Sequence, residues 1–333
     1  MINKLVDGNN LSQLEASFLL EKIITKEVNP FQTAAALVSL RTKGETTDEI
    51  LGFIQTMRKY MLKIKAPKAI DIVGTGGDGS NTFNISTTAS LVAAGMGIPV
   101  AKHGNRAASS KCGSADLLEI LGVNINLTPK QAEEVFKKIG IVFLFAPLYH
   151  PAMKQIGPVR KKLRVRTIFN FLGPFLNPAL TKRQLLGVPN EKIAKKLAAV
   201  ATKLKFKHLM LVTSKDGIDE ITTTSETRIF EVKGNRLSSY TISPQQFGLK
   251  KATKQDLMGK DPRTNALIAQ SILKGKLGPQ RDIVVLNSAA AFYLSGKAKN
   301  IKQGITLAEK SIDSGFALET LQKLIKETNK YAS

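Results

Sequence analysis

Residues 71–87, DIVGTGGDGSNTFNIST, pass from a short apolar run into a loop with four glycines in six positions. Glycine without a Cβ lets several backbone N–H groups converge on one anion, and Asn84, Ser86 and Thr87 add amide and hydroxyl groups where a helix would start. The chemistry that this composition suits is phosphate binding. GTGGDG matches neither the dinucleotide fingerprint nor the P-loop, and no lysine follows directly. Asp78 would repel a bare phosphate, so its expected partners are ribose hydroxyls or a metal-bound water. A second cluster, Lys102, His103, Asn105 and Arg106, falls at the end of an expected strand, where open α/β sheets place ligands. Ser109, Ser110 and Ser114 add hydroxyls before the next helix. His103 suits a structural role equally well, and Cys112 reads as a small residue standing where serine would serve. Asp219 and Glu220 are adjacent carboxylates beside a glycine turn. Such pairs are commonly just solvated, but beside phosphate-directed loops they suit Mg²⁺, an ion that takes oxygen ligands. There is no His and Cys cluster for a metal and no G-x-S-x-G elbow, and three histidines are available for acid–base work.

These residues need elements to hold them. The first 65 residues read as helices only, with start signals at Ser12 and Glu15, at Asn29 and Pro30, and at Thr46 and Glu49, and with Gly44 ending the second helix. Apolar residues at three- and four-residue spacing make these helices amphipathic, and three of them form a small bundle closed by Pro67. From Ala69 short apolar runs alternate with helical stretches. Strand AIDIV, a helix from Thr87 to about Gly95, strand PVAKHG, a helix capped by Ser114, a helix opened by Thr128, Pro129 and Gln131, and strand IVFLFA follow in order. HLMLVTS from His208 and DIVVLNS from Asp282 read as further buried strands, with a helix from about Thr264 to Lys274 between them and a Gly-Asn hairpin between Val232 and Tyr240. Such alternation predicts an α/β fold, a small all-helical N-terminal domain followed by a larger domain with a mainly parallel sheet covered by helices. The basic run GPVRKKLRVR reads as a linker or as part of a crossover. The following FNFLGPFLNP, with three Phe and two Leu in ten residues, points to a packed crossover.

The 333 residues carry a formal net charge of +23, enough for weak, salt-sensitive affinity to any polyanion. The cations are scattered and aromatics make up only 6%, so nucleic-acid binding is a secondary expectation beside the concentration of an anionic metabolite. The longest apolar stretch, Leu91 to Ala101, contains two glycines and a proline and falls below the ~18 residues of a membrane span. A polar N-terminus unlike a signal peptide and a single cysteine make the cytoplasm the expected address.

In order, GTGGD (74–78), NIST (84–87), KHGN (102–105), GSAD (113–116), APLYHPAM (146–153), PVR (158–160), RTIFN with LGP and NP (166–178) and IDE (218–220) resemble the anthranilate phosphoribosyltransferases. The resemblance covers nearly the whole chain. It implies a helical domain of residues 1–66 to which 160–182 return, an α/β domain of 67–159 and 183–333, and a homodimer formed through the helical part. It also implies transfer of phosphoribose from phosphoribosyl pyrophosphate to the amine of anthranilate, with two Mg²⁺ ions per site. Carried over by motif, Gly74, Gly77, Asp78, Thr82, Asn84, Ile85, Ser86, Thr87, Lys102, His103, Gly104, Asn105, Arg106, Ala107, Ala108, Ser109, Ser110 and Ser114 would line the phosphoribosyl pyrophosphate site. Gly74, Asn105 and Arg160 would contact anthranilate, with His103, Ala146, Pro147, His150 and Met153 lining its approach. Ser86 would touch one magnesium, and Asp219 and Glu220 would hold the other. Lys102, Asn105 and Arg160 would act by positioning, with no general base. Cys112 and the basic KKLRVR depart from the commoner pattern without removing a ligand. Two alternatives are a pyrimidine nucleoside phosphorylase of the same plan and a basic nucleic-acid-binding relative without transferase activity.

Overall fold

The structure is a computed structural model that describes every residue except Gly77, Ala108, Ser109, Ser110 and Ser333. The N-terminal helices are α1 (Ile2–Val6), α2 (Gln13–Ile24), α3 (Pro30–Lys43) and α4 (Thr47–Tyr60). Ser12, Asn29 and Thr46 each accept the backbone N–H three residues on, while Glu15, Gln32 and Glu49 reach back, so the three expected capping boxes form. Gly44 ends α3 at φ +87°, a backbone conformation that costs glycine little. The short α1 carries no start signal and went unread.

The larger part holds β1 (Ile70–Gly74), α5 (Ile85–Gly95), β2 (Val100–Gly104), α6 (Ser114–Ile120), α7 (Pro129–Ile139) and β3 (Ile141–Phe145). It continues through α8 (Ala146–Tyr149), α9 (Met153–Leu163), α10 (Phe169–Leu172), β4 (Arg183–Gly187), α11 (Glu191–Lys203) and β5 (His208–Ser214). The antiparallel pair β6 (Thr227–Lys233) and β7 (Arg236–Ile242) completes the sheet, and α12 (Pro262–Leu273), α13 (Pro279–Ser295), α14 (Ile301–Asp313) and α15 (Phe316–Thr328) follow. The strand order is β3-β2-β1-β4-β5-β6-β7, parallel from β3 through β5. Ladder order reverses between β1 and β4, the place where such sheets open a crevice beyond their carboxyl ends.

Three expectations are corrected. DIVVLNS lies inside helix α13, where Ile283 to Leu286 are buried on every side by neighbouring elements, so a continuous apolar run mimics a strand. GPVRKKLRVR is no linker: Met153 to Leu163 are helical, and the helix stops where Arg164 adopts the left-handed conformation at φ +53°. Ser114 is the first residue of α6 rather than its cap, because the Asp116 carboxylate accepts the Gly113 N–H at 2.8 Å. Strand β4 was not anticipated. FNFLGPFLNP is the packed crossover expected, with Phe171, Leu172, Phe175 and Leu176 buried. No helix among the described residues is long and apolar enough to cross a membrane.

Candidate active site

At the switch point Gly74 of β1 and Gly187 of β4 stand side by side as partners in the ladder. The loop after β5 folds back across both. A Cβ on Gly74 would lie 2.4 Å from Asp219 Oδ2, and one on Gly187 would lie 1.5 Å from the Asp219 carbonyl oxygen, so only glycine at both positions lets the acidic loop lie on the strand ends. From the other side Asn287 of α13 fixes that loop, its Oδ1 accepting the Ile221 N–H at 3.0 Å and its Nδ2 donating to the Ile221 carbonyl at 2.8 Å.

The glycine-rich loop meets this acidic loop directly. The Gly76 N–H donates to Asp219 Oδ2 at 3.2 Å, and the Asp219 N–H donates to Asp78 Oδ2 at 3.3 Å. Burial, then the neighbouring Asp78, pushes the Asp219 carboxyl up to about 7. Burial and then Asp219 push Glu220 well above the usual carboxylate range, against the pull of Lys102. The acids therefore crowd one another, a repulsion that a cation would relieve. Their oxygen-only donor set, with the Ser86 hydroxyl near Lys102, fits Mg²⁺. Among the described residues no group of three His, Cys, Asp or Glu side chains is placed to hold a metal by itself. A bound ion would complete its shell from the oxygens of a ligand and from water, as Mg²⁺ commonly does.

Lys102 is buried under the first turn of α5, donating to the Ile72 carbonyl at 2.6 Å and to Ser86 Oγ at 3.3 Å. Burial pulls its ammonium below the ordinary lysine value, although Asp71 and Glu220 oppose this. Asp71, buried in β1, accepts the His103 N–H at 3.3 Å and the Asn177 amide at 2.8 Å, and burial raises it to about 6. Asn177 also donates to the Ala101 carbonyl at 2.8 Å, tying the crossover to the strand that presents Lys102 and His103.

His103 and His150 face each other with their Nε2 atoms 3.1 Å apart and their rings edge to face. Burial, with His150 adding to it, takes His103 down to about 3, and burial takes His150 to about 4, so both imidazoles are neutral and in opposite tautomers across the contact. The Leu176 backbone lies close to His150, but no hydrogen bond of normal geometry forms at Nδ1. His150 belongs to the turn that joins α8 to α9, bracketed by Ala146, whose carbonyl accepts the His150 N–H, and Met153, whose N–H donates to His150. Arg160 of α9 lies 5.4 Å from the Phe169 ring, its guanidinium held below the ordinary value by burial.

The loop after β2 is organised from within. Arg106 pairs with Asp116 at 3.0 Å and with Glu119 at 2.8 Å, and Asp116 Oδ2 accepts the Ala107 and Gly113 N–H groups at 3.0 and 2.8 Å. Asn105 is exposed; its carbonyl accepts Ser114 Oγ at 3.3 Å, and a Cβ on Gly104 would collide with that same hydroxyl. Asn84 gives its Nδ2 to the Cys112 carbonyl and takes the Asn265 amide, both at 3.1 Å. Burial pushes the Cys112 thiol up to about 11, which suits the reading of a small packed residue. Thr82 bridges to Met258, and Ile85 and Thr87 are buried in the helix they open. Gly77, Ala108, Ser109 and Ser110 lie outside the described residues.

The structure thus joins Gly74, Asp78 and Asp219, joins Ser86 to Lys102, and joins His103 to His150. Gly187, Asn265 and Asn287 were missed as supports, and Asp116 and Asn177 stood in quoted motifs without a role. The one signal for such supports was an acid, Asp71, inside the apolar run AIDIV.

A glycosyl transferase family helical-bundle domain matches residues 1–61, and the a/b domain of the glycosyl transferase family matches residues 66–318. An anthranilate phosphoribosyltransferase of Methanobrevibacter smithii is 48% identical over 98% of each chain, and one of Acetivibrio thermocellus is 47% identical over 100% of this chain and 97% of its own. Among solved structures, the Thermus thermophilus anthranilate phosphoribosyltransferase is 40% identical with a TM-score of 0.92, covering 98% of this chain and 99% of its own. The Saccharomyces cerevisiae enzyme in complex with PRPP and Mg is 28% identical with a TM-score of 0.91, covering 99% and 97%.

Proposed function

The chain belongs to the anthranilate phosphoribosyltransferases, and from that premise we propose how its residues divide the work. The reaction moves the phosphoribosyl group of phosphoribosyl pyrophosphate to the amine of anthranilate, releasing pyrophosphate, in the Mg²⁺-dependent step of tryptophan biosynthesis. The observation that carries the assignment of roles is the acidic loop laid across Gly74 and Gly187, within reach of the glycine-rich loop.

Gly74, Gly77, Asp78, Thr82, Asn84, Ile85, Ser86 and Thr87 frame the diphosphate, with backbone N–H groups and the positive end of α5 directed at it. Lys102 supplies charge from beneath through Ser86. Gly104, Asn105, Arg106, Ala107, Ala108, Ser109, Ser110 and Ser114 form the second phosphate loop. Asp219 and Glu220 hold one Mg²⁺ and Ser86 touches a second; bound there, the metal neutralises the diphosphate as it departs. Arg160 meets the anthranilate carboxylate with its planar fork beside Gly74 and Asn105, while Ala146, Pro147, Met153 and the neutral pair His103 and His150 wall the approach. The arylamine is already a neutral nucleophile, so the chain has to position it and stabilise the leaving charge, and no general base is needed.

The helical domain comprises 1–66 with 160–182 returning to it. Supporting this division, Arg58 gives two hydrogen bonds, at 3.0 and 2.8 Å, to the Phe175 carbonyl, and Phe53 and Phe169 stack edge to face. Leu14, Phe18 and Phe31 are exposed on α2 and α3, with Phe31 87% exposed, which supports a homodimer formed through these helices. One cysteine in 333 residues supports a cytoplasmic address. The decisive assay follows the loss of anthranilate fluorescence with phosphoribosyl pyrophosphate and Mg²⁺; a folded sample without turnover overturns the reading.

A further inference from the structure

The cations are scattered along the chain, yet the fold collects several of them. Strands β1, β4 and β5 run parallel and β6 antiparallel, so the turns that enter β1, β4 and β5 and the hairpin turn between β6 and β7 share one end of the sheet, opposite Gly74, Gly187 and Asp219. Ile70, Arg183, His208, Lys233 and Arg236 are ladder partners in one line across that end. The turns along it carry Lys68, Lys182, Lys205, Lys207, Lys233 and Arg236; Lys182 is half-buried and the others are exposed. Backbone hydrogen bonds join the turns: the Lys207 N–H donates to the Lys182 carbonyl at 2.9 Å and the Gly234 N–H to the Lys207 carbonyl at 3.1 Å. Five neighbouring strands spread this row over roughly 20 Å.

None of the six has a carboxylate partner among the described residues. The acids nearest in the fold are taken: Asp48 pairs with Lys203 at 2.7 Å, and Glu231 is buried, accepting the Tyr240 and Tyr293 hydroxyls at 2.9 and 2.8 Å and lying 2.6 Å from His208 Nε2. Like charges face one another instead, and burial, then Arg58 and Lys205, hold the Lys182 ammonium below its ordinary value. Lys68 and Lys205 keep a left-handed backbone, at φ +62° and +54°, where glycine would sit more cheaply. A row of unmatched cations suits an extended anion, and a duplex presents one phosphate charge per about 1.7 Å of its axis. Phe206 is buried and Tyr293 lies under Lys233 with its hydroxyl on Glu231, so neither offers a face on which an unpaired base could stack. Leu237 is the one exposed large apolar side chain on these turns among the described residues, whereas a protein partner would want an apolar centre with few lysines. We propose that this end of the sheet is a docking surface for double-stranded nucleic acid, held by its phosphates without base readout.

The test is fluorescence anisotropy of a labelled, mixed-sequence DNA duplex of about 20 base pairs with the full-length protein, at salt from about 50 to about 200 mM. Affinity should fall steeply with salt, with a log–log slope of about −5 for a row of this size. Lys205→Glu, Lys207→Glu, Lys233→Glu and Arg236→Glu together should weaken binding about tenfold or more and take about 3 to 4 off the slope, while anthranilate turnover stays at the wild-type level and reports an intact fold. The milder pair Lys205→Gln and Lys207→Gln should already take about 2 off the slope. The same charge reversal at Lys130, Lys250, Lys251 and Lys326, exposed on other elements, should cost far less. Equal losses in the two quadruple variants, an unchanged slope in the milder pair, or no binding at about 50 mM salt overturns the surface. Displacement of the duplex by phosphoribosyl pyrophosphate with Mg²⁺ would move it to the catalytic site and overturn the surface as well. A single strand binding more tightly than the duplex overturns the duplex assignment. Poly-glutamate displacing the duplex at equal charge concentration overturns the nucleic-acid assignment in favour of an acidic protein.

Discussion

The loop after β2 and the loop after β5 are built on opposite electrostatic plans. In the loop after β2, Arg106 is matched by Asp116 and Glu119, and Asp116 also takes two backbone N–H groups, so these two charges are settled within the fold. In the loop after β5, Asp219 and Glu220 crowd against Asp78 with one buried cation, Lys102, beneath them, and burial raises both acids. The basic motif that looks like a ligand grip in the sequence is partly internal scaffolding. The acidic pair, which the sequence offers to Mg²⁺, is buried against Asp78 with its charges less fully matched.

The strongest way to break this contrast is Asp219→Ala with Glu220→Ala, expected to lower kcat/KM by ~10²–10³-fold and to weaken the Mg²⁺ response. An unchanged magnesium titration would remove the acids from the metal's coordination. Next is Gly187→Ala: its methyl must displace the acidic loop, and turnover should fall by up to ~10²-fold together with a lower melting temperature. Activity like wild type would show that the close approach is dispensable. Arg160, resting on Phe169 with burial alone shifting it, extends the open class to a cation. Arg160→Ala should raise the anthranilate KM by about tenfold and the phosphoribosyl pyrophosphate KM far less, the loss of one charge-assisted pair. Equal effects on both would reject its pairing with the carboxylate.

On the settled side, Asp116→Asn should raise the phosphoribosyl pyrophosphate KM only several-fold, on the order of 1 kcal/mol, because it loosens a scaffold rather than removing a ligand. A kcat loss as large as that of the acid pair would erase the distinction between the two loops. The last expected effect is on stability against pH and leaves turnover aside. His103 and His150 titrate near 3 and 4 when folded, below the ordinary 6.5, so the unfolded chain takes up protons first. Stability is complete above 6.5 and declines as pH falls toward 4, by up to ~1.4 kcal/mol per pH unit for each histidine. His150→Asn should flatten that slope in chemical denaturation; an unaltered slope would mean the pair is not the acid-sensitive element.

Local chemistry was legible in the sequence and long-range chemistry was not. Capping boxes at Ser12, Asn29 and Thr46 involve residues three apart, and all three form. The clasp of Gly187 on Asp219 joins positions far apart in the chain, and nothing in the local run QLLGVP announces it. DIVVLNS misled because burial on every side removes the polar face that normally betrays a helix. Asn287, within that same run, proved to be what pins the acidic loop.

The middle strands carry a consequence for how the molecule comes apart. Leu185, Met210 and Val212 point into one apolar core, while Leu186, Leu209 and Leu211 point into the other, which also holds Leu37, Phe53, Ile156 and Phe171. The helical bundle thus has no private interior: one wall of it is the back of the sheet. Removing residues 1–61 would strip that wall and leave one sheet face wet, and the bundle has no complete interior of its own, whereas the other core draws only on residues from Ile64 onward. Heating should melt both in one cooperative calorimetric transition, so wear at the bundle is felt as loss of the active site.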